Sequence, residues 1–194
     1  VRYGERISMS IPLFAKLEAE LRQPRNPIEE EMVALLERQI EAVRPTLVGF
    51  TAPFPGNLLA ILRCAQYLKE RHPDIRIAMG GGYPSTELRT MTDKAIFRYI
   101  DYIILDDGER PLERLLAGND LLRTYARDGY HEGEAAPLTH AERGCPDFSG
   151  LPHDKYLSLT EVTNPMHRLW SDGRLNKMML AHGCYWAKCA FCDT

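Results

Sequence analysis

The spacing of apolar positions changes several times along the chain, and each change marks an element. Ile11 to Leu21 reads as a helix. From Asn26 to Val43 the helical signal is stronger: Asn26 stands at an N-cap, Pro27 in the first turn, Glu29 at the capping-box position, and Pro45 stops the run. Ile28, Met32, Leu35, Leu36, Ile40 and Val43 form an apolar stripe beside Glu30, Glu37, Arg38 and Glu41. Short continuous apolar runs follow at Leu47–Thr51, Ile75–Met79 and Asp101–Leu105, the pattern of buried strands. Between the first two, Asn57 caps a helix carrying Leu58, Leu59, Ile61, Leu62, Ala65 and Leu68, which Pro73 ends. Ser85 or Thr86 caps another helix to about Phe97, and a third runs from about Pro111 to Ala117. Strands separated by single helices imply parallel pairing through right-handed crossovers.

The fold class expected is therefore α/β, a Rossmann-like (flavodoxin-like) parallel sheet with helices on both faces. After Gly118 the pattern dissolves among glycines and prolines such as Gly129, Gly133, Pro137, Gly144, Pro146, Gly150, Pro152 and Pro165, with a short helix expected around Asp154 to Thr160. A connection this long reads as a linker. Lys177 to Ala181 then reads as a fresh strand, whose unpaired edge is expected to pair with another chain or fold back. The expected organisation is a helical segment over 1–45, an α/β domain over 46–118, a linker over 119–175 and the start of a second, truncated domain over 176–194.

Composition narrows the function classes. With 24 Lys and Arg against 27 Asp and Glu, net charge is -3, so no overall basic field draws in nucleic acid, and no local basic patch stands out. Apolar runs fall far short of the ~18 residues of a membrane helix, and no signal-peptide pattern opens the chain, so a soluble, cytoplasmic protein without membrane contact is expected.

Candidate chemistry gathers where ligands bind open parallel sheets, beyond the carboxyl ends of the strands. Three loops fall there. The first runs from Thr51 through Pro53 and Gly56 to Asn57, the second is Gly80-Gly81-Gly82-Tyr83, and the third contains Asp106, Asp107, Gly108 and Glu109. Glycines admit a ligand close to the backbone, and helix starts at Asn57 and Thr86 offer N–H groups, a pattern that suits a nucleotide-like or large planar ligand. Neither a dinucleotide fingerprint nor a P-loop is present. Asp106 and Asp107 read as acidic residues feeding a helix start, the six histidines show no helical pair spacing, Cys64 reads as a core residue, and Cys145 carries no signal. Cys184, Cys189 and Cys192 differ, since three thiolates within nine residues can converge on zinc or an iron–sulfur cluster. His182 is a poorly spaced fourth ligand for zinc.

The segment His182-Gly183-Cys184-Tyr185-Trp186-Ala187-Lys188-Cys189-Ala190-Phe191-Cys192-Asp193 resembles the cluster loop of radical S-adenosylmethionine (SAM) enzymes. Leu47-Val48-Gly49-Phe50, Gly80-Gly81-Gly82 and Asp106-Asp107-Gly108-Glu109, in that order, resemble the cobalamin-binding domain that precedes the barrel in one branch of that family, and Asp147-Phe148-Ser149-Gly150-Leu151-Pro152 is similar to the joining linker. The spacing Cys-x4-Cys-x2-Cys is one residue longer than the family's usual loop, and the Asp-x-His-x-x-Gly that supplies a cobalt ligand in some cobalamin domains is absent.

The resemblance implies a [4Fe-4S] cluster on Cys184, Cys189 and Cys192, shielded by Tyr185 and Trp186, with SAM on the open iron and reductive cleavage to methionine and a 5'-deoxyadenosyl radical. It implies cobalamin at Thr51, Pro53, Gly56, Asn57, Gly80, Gly81, Gly82, Tyr83, Asp106, Gly108 and Glu109, methyl transfer to an unreactive carbon of a small-molecule substrate, and an electron donor such as flavodoxin or ferredoxin. The segment by itself is expected to be inactive because the barrel is missing after Thr194, and it is expected to self-associate through its exposed strand. Two readings of other classes stand beside this one. One is a cobalamin- or ligand-binding α/β module with a structural zinc or iron site and no catalysis; the other is a scaffold with no ligand at the sheet edge.

Overall fold

The computed structural model describes residues 9–136, 138–144 and 147–155, together with Tyr185, Trp186 and Lys188. The chain divides into two units, 1–137 and 138–194.

The first unit opens with two helices, α1 (Phe14–Leu21) and α2 (Pro27–Val43). The capping box forms in full: the Asn26 side chain accepts the Ile28 and Glu29 amides at 2.9 Å, and the Glu29 carboxylate accepts the Asn26 amide at 2.8 Å. α2 ends where Arg44 turns left-handed, φ 51°. Its buried stripe differs from the one the apolar spacing predicts. Glu29, Val33 and Ile40 are buried with Leu36 partly so, whereas Ile28, Leu35 and Val43 are exposed. The cause is Glu29 itself, fully buried against Arg63 of the next helix, α3 (Leu58–Arg71), which rolls α2 so that positions 29, 33, 36 and 40 face inward.

Arg63 is the joint of the helical layer. Its Nε donates to Glu29 Oε1 at 3.2 Å, Nη1 to the Leu21 carbonyl at 2.7 Å and the Gln66 side chain at 3.1 Å, and Nη2 to the carbonyls of Glu20 at 3.0 Å and Gln23 at 3.4 Å. One buried guanidinium thus satisfies carbonyls left over at the end of α1 and the carboxylate that caps α2. The apolar residues expected on α3, from Leu58 to Leu68, are all buried, and Cys64 is buried with them, its thiol pushed up to about 11 by desolvation.

Among the described residues the sheet has five strands in the order β1 (Leu47–Thr51), β2 (Arg76–Gly80), β3 (Tyr102–Ile104), β4 (Thr124–Ala126) and β5 (Gly129–His131). β1, β2 and β3 are parallel, with Val48 opposite Ile77 and Met79 opposite Ile103. β3–β4 and β4–β5 are antiparallel. The stretch after residue 118 that reads as the start of a linker therefore continues the sheet: Leu122 and Thr124 are buried, and Tyr125 pairs with Ile103. Strands of three residues are too short to show a period of two, which is why the alternation does not reveal them; Arg127 and Asp128 form the turn between them, and Gly129 opens β5.

Helices lie on both faces, but unequally. Val48, Phe50, Ile77, Met79, Ile103 and Leu105 pack with Leu17, Leu21, Ile40, the α3 residues, Ile96 and Phe97 in one core. On the other face Ala78 and Ile104 meet Leu115 of α5 (Glu109–Ala117), with Leu47, Tyr102 and Leu121 at the margin. The helix expected from Ser85 or Thr86 to Phe97 is instead a short helix α4 (Gly82–Glu87), which begins inside the glycine run, and a 3-10 turn, Lys94–Arg98. In the second unit the described elements are α6 (His140–Arg143), capped by Thr139, and a 3-10 turn, His153–Lys155; the short helix expected around Asp154 to Thr160 lies outside the described residues from position 156 on. The strand expected over Lys177–Ala181 lies outside the described residues.

Breaking the Arg63–Glu29 pair from one side strands a buried charge, so Arg63→Met and Glu29→Ala should each cost about 3–5 kcal/mol. Denaturant unfolding checks this, and a loss below about 1 kcal/mol for either would contradict the assignment of Arg63 as the joint.

Candidate functional site

The sparsely covered face of the sheet carries a groove of about 500 Å³. Its floor is the outward backbone of β1 and β2 at Gly49, Thr51, Ala78 and Gly80; Ile104 and Leu112 form an apolar wall, and Gly81, Asp106, Gly108 and Glu109 close the end beyond the strands. Strand alternation explains the floor. With Val48 and Phe50 turned into the main core, Gly49 and Thr51 point to the other face. A Cβ on Gly49 would meet nothing within 4 Å. Among the described residues no contact requires glycine there, and its missing side chain leaves the floor flat and open.

Gly81 is glycine for the opposite reason. Its φ is +111°, and a Cβ would stand 2.9 Å from the Ala52 carbonyl oxygen. The glycine run lies against the loop after β1, with the Ala52 amide donating to the Gly80 carbonyl at 2.7 Å and the Tyr83 amide to the Ala52 carbonyl at 3.0 Å. Gly82 sits under Pro53, whose carbonyl would be 3.2 Å from a Cβ.

The groove thus divides the residues that sequence suggests. Thr51, Gly80, Gly81, Asp106, Gly108 and Glu109 line it together. Pro53, Gly56, Asn57, Gly82 and Tyr83 do not. Tyr83 packs against the main core, where burial first and Glu87 second raise its phenol above the ordinary tyrosine range. Asn57 does not cap α3 as its position suggests: residues Pro55–Asn57 wind as a 3-10 turn, and the Asn57 side chain accepts the Phe54 amide at 3.2 Å. Ser85 and Thr86 do not cap a helix start either; within α4 their hydroxyls donate back to the Gly81 and Gly82 carbonyls, at 2.9 and 3.1 Å. Ala78, Ile104 and Leu112 escape the sequence reading, and Gly49 enters it only within the Leu47–Phe50 motif and not as a site residue, although a glycine in the middle of an apolar strand is itself a signal of close approach.

Among the described residues the groove's charges are the carboxylates of Asp106 and Glu109, and no lysine, arginine or histidine lines it. A neutral, flat, apolar group with hydrogen-bond donors at its edge suits this lining better than a bare anion. A second cavity of about 500 Å³ lies at the opposite ends of the strands, between Lys69, Arg76, Asp101, Tyr102, Arg127 and Asp128. There Asp101 takes both the Lys69 ammonium, at 2.6 and 2.7 Å, and the Ile77 amide, at 2.7 Å, which makes that end a structural clasp. The carboxyl-end groove is the better candidate for a ligand.

A B12 binding domain is found at residues 24–116. The matched span begins just before the α2 capping box and ends within α5, so it contains every residue that lines the groove. No curated protein and no solved structure matches the chain. Cobalamin is the group this family implies, and the flat floor left by Gly49 and the apolar wall fit a planar heterocycle of such a ligand. Among the described residues no histidine lines the groove, so none of them presents an imidazole to it. Among the described residues no helix is long and apolar enough to cross a membrane, and no cluster of His, Cys, Asp or Glu is arranged to hold a metal ion. Cys184, Cys189 and Cys192 lie outside the described residues, as does Cys145. Tyr185 and Trp186 are exposed, with the Lys188 ammonium 6.0 Å from the Trp186 ring centroid.

The two glycines should respond oppositely to the same change. Gly81→Ala should destabilise the fold by about 1–3 kcal/mol, the cost of a strained left-handed residue. Gly49→Ala should be neutral or stabilising by up to about 1 kcal/mol, since alanine restricts the unfolded chain. Thermal and denaturant unfolding compare them directly, and equal losses at both positions would remove the distinction.

Proposed function

We propose that residues 24–116 bind cobalamin, with the flat heterocycle of its nucleotide tail against the floor made by Gly49, Ala78 and Gly80, in a protein that also carries a radical SAM centre. The observation that carries the first part is the coincidence of the B12-binding match with a groove whose floor glycine has open space where a side chain would stand. On this reading the heterocycle occupies the groove of about 500 Å³ and the macrocycle lies beyond it. Thr51, Asp106 and Glu109 supply acceptors at the rim for ribose hydroxyls and amide side chains. The apolar wall of Ile104 and Leu112 excludes water from the flat group.

The second part rests on the spacing of Cys184, Cys189 and Cys192, whose three thiolates would hold a [4Fe-4S] cluster with one iron left open. The chemistry such a cluster supplies is reductive cleavage of SAM, fed by a donor such as flavodoxin or ferredoxin. Paired with cobalamin, it suits methyl transfer to an unreactive carbon of a small substrate. On this reading the protein is an enzyme.

Titration with hydroxocobalamin should show saturable binding, and Gly49→Leu should weaken it at least about tenfold by filling the floor. Cobinamide, which lacks the nucleotide tail, should bind the wild type and Gly49→Leu equally. Equal weakening of both ligands would place the tail elsewhere, and no binding of either would end the cobalamin reading. For the cluster, anaerobic reconstitution of the full-length protein with iron and sulfide should give a visible iron–sulfur absorption and release 5'-deoxyadenosine from SAM, both lost in Cys184→Ala, Cys189→Ala and Cys192→Ala. Stoichiometric zinc without SAM cleavage would support a binding module instead.

A further inference from the structure

We infer that Ser85, which does not line the groove, is the residue that positions its outer wall, by pinning the loop after β3 to the glycine loop after β2. The inference builds on the cobalamin reading but has a test that does not need it.

The outer wall is formed by Asp106, Gly108 and Glu109, and its first residue is in an unusual conformation: Asp106 has φ 59°, a left-handed geometry without a glycine. Such a residue persists only where its surroundings hold it. Two contacts do so. The Asp106 amide donates to Ser85 Oγ at 2.8 Å, while the Ser85 hydroxyl donates onward to the Gly81 carbonyl at 2.9 Å. One hydroxyl, using its donor and an acceptor together, therefore bridges the two loops that close the groove. The second contact is the guanidinium of Arg89 on the Asp106 carboxylate; the same side chain donates through Nε to the Ser85 carbonyl at 3.0 Å. Arg89 is fixed in turn by β4, since the Tyr125 hydroxyl donates to the Arg89 carbonyl at 2.7 Å. Tyr130 of β5 stacks on Tyr125 with ring centroids 4.7 Å apart. The wall is thus held from two sides, by Ser85 at its backbone and by the β4–β5 hairpin through Arg89.

Removing the Ser85 hydroxyl leaves the Asp106 amide to water and withdraws one of the contacts that sustain its left-handed turn. The loop then relaxes while the core beneath it is untouched. Ser85→Ala in the full chain without ligand should therefore speed amide hydrogen exchange in the segment containing Asp106 to Gly108 several-fold, with the melting temperature and the exchange of β1 to β3 little changed. Unchanged exchange in that segment would overturn the inference, and so would acceleration spread over the whole domain, which would make Ser85 a general support of the fold. With hydroxocobalamin, Ser85→Ala should bind roughly three- to tenfold more weakly, the worth of one hydrogen bond in affinity. Cobinamide binding should not change, and Ser85→Thr, which keeps the hydroxyl, should restore the wild-type value. A loosened loop with undiminished cobalamin affinity would also overturn the positioning role. Failure of the wild type to bind cobalamin would count against the cobalamin reading alone, because the exchange measurement still decides whether Ser85 holds the wall.

Discussion

The strand order constrains everything else in this domain. β1, β2 and β3 are laid down side by side in chain order, so both connections between them step in the same direction across the sheet. Crossovers between parallel strands are right-handed, and two such crossovers stepping the same way must lie on the same face. α3 and the 94–98 turn accordingly share one core, and α1 and α2 stack behind α3. Among the described residues of this unit, the opposite face receives α5, which covers Ala78 and Ile104 and does not reach the β1 side. The groove is therefore a consequence of topology before it is a consequence of any side chain. The sequence needs only to keep a residue on β1 from filling the gap, and Gly49 does so.

The layer behind α3 depends on a second constraint, the buried Arg63–Glu29 pair. Ion pairs taken out of water are not strong net stabilisers, because desolvation consumes most of their attraction. What this one contributes is geometry. Glu29 already caps its own helix, so the guanidinium fixes the rotation of α2 about its axis, and the carbonyls of Glu20, Leu21 and Gln23 fix the end of α1 by the same group. A purely apolar stripe on α2 could have turned either Ile28, Leu35 and Val43 or Val33 and Ile40 inward. The carboxylate at position 29 chooses the second, which is why hydrophobicity alone gets Leu36 and Ile40 right but also turns Ile28, Leu35 and Val43 inward.

The same contrast explains how much of the molecule was legible beforehand. Elements with a strong local signature could be read directly: the capping box of α2, the apolar α3 and the run Leu47–Thr51 stand where pattern puts them. Elements defined by long-range pairing could not. β4 and β5 are three residues each and exist because β3 offers an edge, and Arg63 looks like any surface arginine until two helix ends converge on it. The candidate site was half legible for a related reason. Loops rich in glycine announce the carboxyl edge of the sheet, but the edge has two sides, and the residues after β1 and β2 separate between them: Thr51, Gly80 and Gly81 on the groove, Pro53, Gly82 and Tyr83 away from it.

Glycine shows most clearly where inference from sequence stops. Gly49, inside β1, and Gly81, just after the neighbouring β2, are the same residue, yet only the second is demanded by the backbone. At Gly81 the positive φ and the Ala52 carbonyl leave no room for any side chain, so its identity says nothing about a ligand. At Gly49 the conformation is that of an ordinary strand and the space above is empty, so the fold alone would favour a β-branched residue there. A position at which the fold would prefer a larger residue and has glycine instead carries functional information, since local and global preferences conflict mainly where something other than stability is being served. Only the structure distinguishes the two, and it moves attention from the conspicuous glycine run to the single glycine inside the strand.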